Sequence, residues 1–137
     1  MTISQRTAYG FGTKVSLPYA EAVAQTKAAL AEQGFGILTE IDVRQTMQEK
    51  RGIDFRPYVI LGACNPPLAE RALEAELDVG LLLPCNVVVY QEGGGSIVAA
   101  MDPGPVLGLV QNRALEPLAR EVKQRLQAAL DQLPTIP

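Results

Sequence analysis

The sequence predicts an α+β domain in which helices cover one face of a largely antiparallel sheet. Three observations predict this class. Segments with the two-residue period of strands alternate with helical segments, a glycine-rich turn joins two late strands, and the chain closes on a long apolar helical stripe. A striped helix and a one-sided sheet bury their apolar surfaces by packing on each other. The expected order is β-α-β4-α, with short helical insertions.

The first half of the chain contains two predicted strands and two predicted helices. Residues 7–16 are rich in β-formers and predict the first strand. The first helix is predicted over residues 18–33, because Pro18 suits its first turn and Gly34 suits its end. Apolar and polar residues alternate from 35 to 42 and predict a strand, which a short amphipathic helix follows.

The second half contains the remaining strands and the longest helix. Residues 55–64 predict a strand whose early Pro57 favours an edge position or a strand beginning. Asn65 and Pro66 form an N-cap and first-turn pair that opens a helix. Residues 85–91 and 96–101 predict a hairpin, and a turn is expected at 102–105. The last helix is predicted from its apolar stripe, which comprises Leu115, Leu118, Ala119, Val122, Leu126, Ala129, Leu130 and Leu133.

Length and charge limit the partners to be expected. The 137 residues fit a single domain, 1–137, and 47% hydrophobic composition supplies one core. With a net charge of -3 and no basic cluster longer than Lys50-Arg51, nucleic acid is not an expected partner. The polar N-terminus lacks a signal-peptide pattern, and the apolar stretch 79–90 is too short to span a membrane. We therefore expect a cytoplasmic protein without a membrane partner.

Three segments resemble blocks of a bacterial and archaeal family, the domain-of-unknown-function family numbered 302. They are residues 34–43 (GFGILTEIDV), 55–69 (FRPYVILGACNPPLA) and 80–89 (GLLLPCNVVV). The resemblance extends over roughly residues 9–130. It implies a β-α-β4-α sandwich of the TATA-binding-protein-like class, homodimers, and no established activity. The class name implies no DNA binding, because a fold does not carry function by itself.

Two Cys-Asn steps, Cys64-Asn65 and Cys85-Asn86, interrupt the strand and helix pattern. The chain has no histidine, so the commonest general base and the commonest metal ligand are both missing. Each cysteine lies at an end of a predicted strand, so the two thiols would approach each other if these strands are neighbours. Cys64 also precedes a capped helix, whose N-terminal partial charge favours a thiolate.

These cysteines allow three interpretations. In the first, both cysteines are small hydrophobic core residues, Asn65 caps a helix, and Asn86 hydrogen-bonds to a loop. In the second, the cysteines form a redox or ligand-reactive pair. In the third, Cys64 and Cys85 bind a soft metal such as Cu(I). Separately, Arg56 beside Tyr58 is suited to binding an anionic ligand, although a role in a surface ion pair explains the presence of Arg56 equally well.

Our leading hypothesis is a homodimeric ligand-binding or accessory domain rather than an enzyme. Its candidate ligand-binding residues are Cys64, Asn65, Cys85, Asn86, Arg56 and Tyr58. The alternatives are a thiol-dependent redox enzyme, a soft-metal-binding protein, or a structural or protein-interaction module. The sequence identifies no cofactor. Glu40 and Asp42 share a strand face and are interpreted as solvated, and the triple glycine 93–95 lacks the residues of a phosphate loop.

Overall fold

The chain folds around one six-stranded sheet in which every neighbouring pair of strands is antiparallel. The structure, a computed structural model, describes residues 3–134. In spatial order the strands run β1-β2-β6-β5-β4-β3. Their bounds are β1 Ser4–Thr7, β2 Gly10–Val15, β3 Gly36–Asp42, β4 Tyr58–Cys64, β5 Cys85–Glu92 and β6 Gly95–Met101. The predicted α+β class is confirmed.

Within residues 3–134, five α-helices connect and cover these strands. Their bounds are α1 Tyr19–Glu32, α2 Val43–Arg51, α3 Pro66–Ala75, α4 Pro103–Gly108 and α5 Glu116–Asp131. Short 3-10 segments at Leu77–Leu82 and Arg113–Leu115 precede β5 and α5. The long helices α1 and α5 contact each other, and α1 also contacts β5 and β6. Among the described residues, no helix is both long and apolar enough to cross a bilayer.

The core lies between the sheet and the layer formed by α1 and α5. Alternate residues of the interior strands β4 and β5 point into it, and all are buried: Val59, Leu61, Ala63, Cys85, Val87 and Val89. The predicted stripe of α5 faces them, and its members Leu126 and Ala129 have no exposed surface. Because strand residues alternate between faces, the other residues of these strands lie on the opposite side of the sheet.

That opposite side, which we call the outer face, carries its own row of cross-strand neighbours. Ile41 is paired with Ile60, Ile60 with Val88, and Val88 with Ala99, so four strands contribute to one apolar row. Ile41 is 47% exposed, and the other three are partly buried. The outer face therefore differs from the helix-covered face in exposure rather than in apolar character.

Two local predictions were wrong. The strand predicted over 7–16 is shorter, since β2 spans Gly10–Val15, and it forms a hairpin with the additional strand β1, whose four residues are all exposed and have no apolar alternation. The turn predicted at 102–105 instead begins α4. There the side chain of Asp102 accepts a hydrogen bond from the amide of Gly104 at 3.1 Å, which caps the helix.

Candidate functional site

The candidate site lies where β4 ends and β5 begins. Ala63 is the register partner of Cys85, so Cys64 and Cys85 occupy adjacent positions at one end of the sheet. Both are free cysteines and both line one cavity. The structure therefore brings together the two thiols that are separated in sequence, within a single subunit.

The cavity has a volume of about 320 Å³ and an almost entirely apolar wall. It is bounded by the end of the sheet, by α3, and by side chains from α4 and α5. Apart from the two thiols and Asn65, the wall is made of Phe35, Leu38, Ala63, Leu68, Ala69, Ala72, Leu73, Gly80, Leu83, Pro84, Leu107, Leu118 and Val122. None of these side chains is charged, so the cavity offers no counter-charge to an ionic ligand.

A bulge in β3 builds part of the rim. Ile37 is paired with Ala63 and Thr39 with Gly62, which leaves Leu38 as an extra residue without a partner. Leu38 is 66% exposed although it lines the cavity. Because the bulge shifts the alternation of the strand, an aliphatic side chain is held at the cavity mouth.

The environment of the thiols favours their protonated form. Burial, and secondly the neighbouring Cys64, raises the pKa of Cys85 to about 11. Burial also raises the pKa of Cys64 above the usual thiol value. This direction is opposite to the expectation that the start of α3 would favour a thiolate at Cys64. Both groups are therefore neutral thiols at pH 7.

Asn65 is a buried structural residue at the edge of this cavity. Its Oδ1 accepts a hydrogen bond from the amide of Leu68 at 3.4 Å, and its Nδ2 donates to the carbonyl of Gln33 at 3.4 Å. Arg125 donates to the same carbonyl at 3.2 Å. The helix-cap interpretation is confirmed, and the amide also ties the end of α1 to the start of α3.

The other three candidate residues do not belong to this cavity. Asn86 and Tyr58 line a separate groove on the outer face, and Asn86 is exposed there. Arg56 forms an exposed ion pair with Glu92 at 3.2 Å, and its guanidinium lies 5.8 Å from the ring centre of Tyr90. The candidate set predicted from sequence therefore divides between the two faces of the sheet.

The acidic residues singled out in β3 have structural partners. Glu40 forms an ion pair with Lys27 at 2.8 Å, and Asp42 accepts a hydrogen bond from the amide of Gln45 at 2.9 Å to cap α2. Across residues 3–134, no group of three or more cysteine and carboxylate side chains is placed to hold a metal ion. A metal site using Cys64 and Cys85 would therefore have two protein ligands in one subunit.

Sequence reasoning missed several residues that shape these sites. Leu38 and Leu73 line the apolar cavity, whereas Arg6 and Tyr9 line the outer-face groove. Arg6, like Leu38, is the extra residue of a bulge, since Gln5 and Thr7 pair with adjacent residues of β2. A bulge depends on two strands at once, so no signal within one strand reveals it.

Comparison with known proteins places the chain in a family. A solved structure described as an uncharacterized conserved protein DUF302 from Bacillus stearothermophilus is 37% identical to it, with a TM-score of 0.86. The alignment covers 93% of this chain and 99% of that one. No functionally curated protein matches the sequence. The sequence pattern described as "Domain of unknown function DUF302" matches residues 11–133, so the chain belongs to the DUF302 family.

Proposed function

We propose that the protein binds a small, uncharged, apolar molecule in the cavity beside Cys64 and Cys85. The observation that carries this proposal is the wall itself, which encloses about 320 Å³ without a charged side chain. Ligand sites are typically concave and mostly apolar, with a few polar groups that orient the ligand. Here the two thiols are those groups.

The preference for an uncharged ligand follows from desolvation. Moving an ion from water into an apolar cavity is strongly unfavourable unless an opposite charge compensates it. Since the pKa of Cys85 is raised to about 11 and that of Cys64 is also raised, the thiols supply no charge at neutral pH. They instead offer polarizable sulfur and weak S–H donors to a bound molecule.

A matched series of eight-carbon probes tests this proposal. We expect 1-octanol to bind and to shift the backbone NMR signals of Cys64 and Ala72, while octanoate and octylamine bind at least about tenfold more weakly. Ala69→Phe places a ring in the cavity and should abolish the shifts. Ala24→Phe changes an exposed residue of α1 and should retain them. Equal binding of all three probes, or binding that survives Ala69→Phe, would contradict the proposal.

A soft-metal role for the thiols is the second candidate, and the adjacency of Cys64 and Cys85 favours it. The raised pKa of Cys85 opposes it, because a thiolate is the ligand and a proton must be released first. Titration with Cu(I) under anaerobic conditions tests this role. One tightly bound ion per subunit, lost in Cys85→Ala, supports it, whereas weak binding unaffected by that variant would contradict it.

We also propose that the protein forms a homodimer through an exposed leucine patch, defined as Leu77, Leu81 and Leu109. These side chains are 81%, 87% and 73% exposed, the highest values among the exposed large hydrophobic residues of the described chain. Leu81 and Leu109 line the same surface groove. Exposed apolar surface is typical of association sites where it is contiguous, as it is at Leu81 and Leu109.

Sedimentation velocity tests the dimer. We expect a dimer at micromolar concentration, and a monomer for the double variant Leu81→Glu and Leu109→Glu. Leu38→Glu is the control, because Leu38 is also exposed but lies at the cavity rim. A monomeric wild type would contradict the proposal.

A further inference from the structure

A second groove crosses the outer face of the sheet. It has a volume of about 410 Å³ and shares no lining residue with the apolar cavity. Its floor is formed by small and aliphatic residues of the central strands, including Val88 and Ala99. The turn between β1 and β2 contributes Tyr9 at its side. The groove is therefore an independent concave surface.

Tyrosine rings dominate its walls. Three of the four tyrosines of the protein line it, namely Tyr9, Tyr58 and Tyr90. The rings of Tyr58 and Tyr90 are stacked, with centroids 5.2 Å apart and planes inclined by 6°. Burial raises the pKa of Tyr58, and the neighbouring Tyr90 and Tyr9 raise it further. A planar aromatic ligand in this groove would meet the exposed Tyr9 ring beside the stacked pair.

The charge of the groove is opposite to that of the protein. Among the described residues that line it, Arg6 alone is charged, whereas the whole chain has a net charge of -3. The β1 bulge determines where Arg6 projects, because a bulge re-aims the extra side chain. Within residues 3–134, the side chains of Arg6 and Asn86 make no hydrogen bond to the protein. Their donors are thus available to a ligand.

We propose that this groove binds a planar aromatic monocarboxylate. The aromatic ring would lie against the tyrosine walls, where aromatic pairs are favourable. The carboxylate would pair with the Arg6 guanidinium, whose fork matches its two oxygens, and the Asn86 amide would supply a further donor. A single cation balances one carboxylate but only part of the charge of a phosphate monoester. This site is independent of the ligand proposed for the apolar cavity.

Isothermal titration calorimetry with 2-naphthoate tests the proposal in the Ala69→Phe background, because uncharged probes such as 2-naphthol are also expected to bind the apolar cavity of the wild type. Two comparison probes each lack one of the two groups that the site is proposed to recognise: 2-naphthol has no carboxylate, and cyclohexanecarboxylate has no aromatic ring. Both should bind at least about tenfold more weakly than 2-naphthoate. Arg6→Gln should weaken 2-naphthoate by at least about tenfold and 2-naphthol by less than about twofold. Arg120→Gln, at an exposed position of α5, is the matched control and should leave both affinities unchanged.

Tyr9→Ala provides a second variant that does not depend on the β1 bulge. Tyr9 is 66% exposed, so its removal should leave the fold intact while weakening 2-naphthoate severalfold. Equal affinities of the three probes, or equal losses in Arg6→Gln and Arg120→Gln, would overturn the proposal. So would NMR shifts confined to the apolar cavity. If the groove signals instead change with protein concentration alone, a second copy of the chain occupies this face and the proposal fails.

Discussion

Cys85 lies directly opposite Ala63 in the β4–β5 ladder, and this register brings Cys64 to the wall of the same apolar cavity. The relationship has a chemical consequence. Burial, and secondly the neighbouring Cys64, raises the pKa of Cys85 to about 11. The two thiols are thus coupled through space but are not activated.

Alkylation should distinguish the two cysteines. Cys64 is partly exposed and Cys85 is buried, so iodoacetamide should modify Cys64 first in the folded protein. Because burial raises both pKa values, both rates at pH 7.5 should be below that of the urea-unfolded protein. Peptide mass spectrometry over time measures both rates. Faster modification of Cys85 than of Cys64 would contradict the structure.

Alkaline stability should depend on Cys85. Its pKa rises from the ordinary 9.0 to about 11 on folding, which corresponds to on the order of 3 kcal/mol of unfolding free energy. The folded state holds the proton more tightly, so this contribution is complete below pH 9 and is lost as the pH rises to 11. Urea unfolding across this range should show a smaller decline in Cys85→Ala than in the wild type. Parallel pH profiles would show that the thiol is not linked to folding.

The two Cys-Asn steps should respond differently to removal of the amide. Asn65→Ala should lower the free energy of unfolding by about 1–2 kcal/mol, because it removes the α3 cap and the bond to Gln33. Asn86→Ala should change it by less than about 0.5 kcal/mol, because Asn86 is exposed. Urea denaturation of the pair provides an internal control, and similar losses for both variants would be the adverse result.

Gly62 should not tolerate a side chain. A Cβ there would overlap Oγ1 of Thr39 and would lie 2.8 Å from Cγ of Pro84. Gly62→Ala should therefore cost about 1–3 kcal/mol of unfolding free energy, the range typical of overpacking. At Gly80, a Cβ would meet nothing within 4 Å, so Gly80→Ala should be nearly neutral. Thermal and urea unfolding of both variants compare the two, and equal stability would refute the close approach of β3 and β4.

Much of the candidate site was accessible from sequence because the relevant signals are local. The residue types of Asn65 and Pro66 predict a helix cap, and the cap is present. The apolar segments around each cysteine predict strand ends, and both cysteines lie at strand ends. The sequence did not predict in the same way that the candidate residues would divide between the two faces of the sheet. Asn86 follows Cys85 directly, and neighbouring strand residues point to opposite faces, so Cys85 lines the apolar cavity and Asn86 lines the outer-face groove.

The sequence by itself determined the α+β class, the period of each long element and the family, since these depend on local periodicity and on residue types at fixed spacings. Tertiary structure alone decided the bulges at Arg6 and Leu38, the apolar cavity, the outer-face groove, and the raised pKa of Cys85. The physical reason is that register and desolvation arise between segments distant in the chain. A thiol is buried, and a groove exists, only after the strands have paired and the helices have packed upon them.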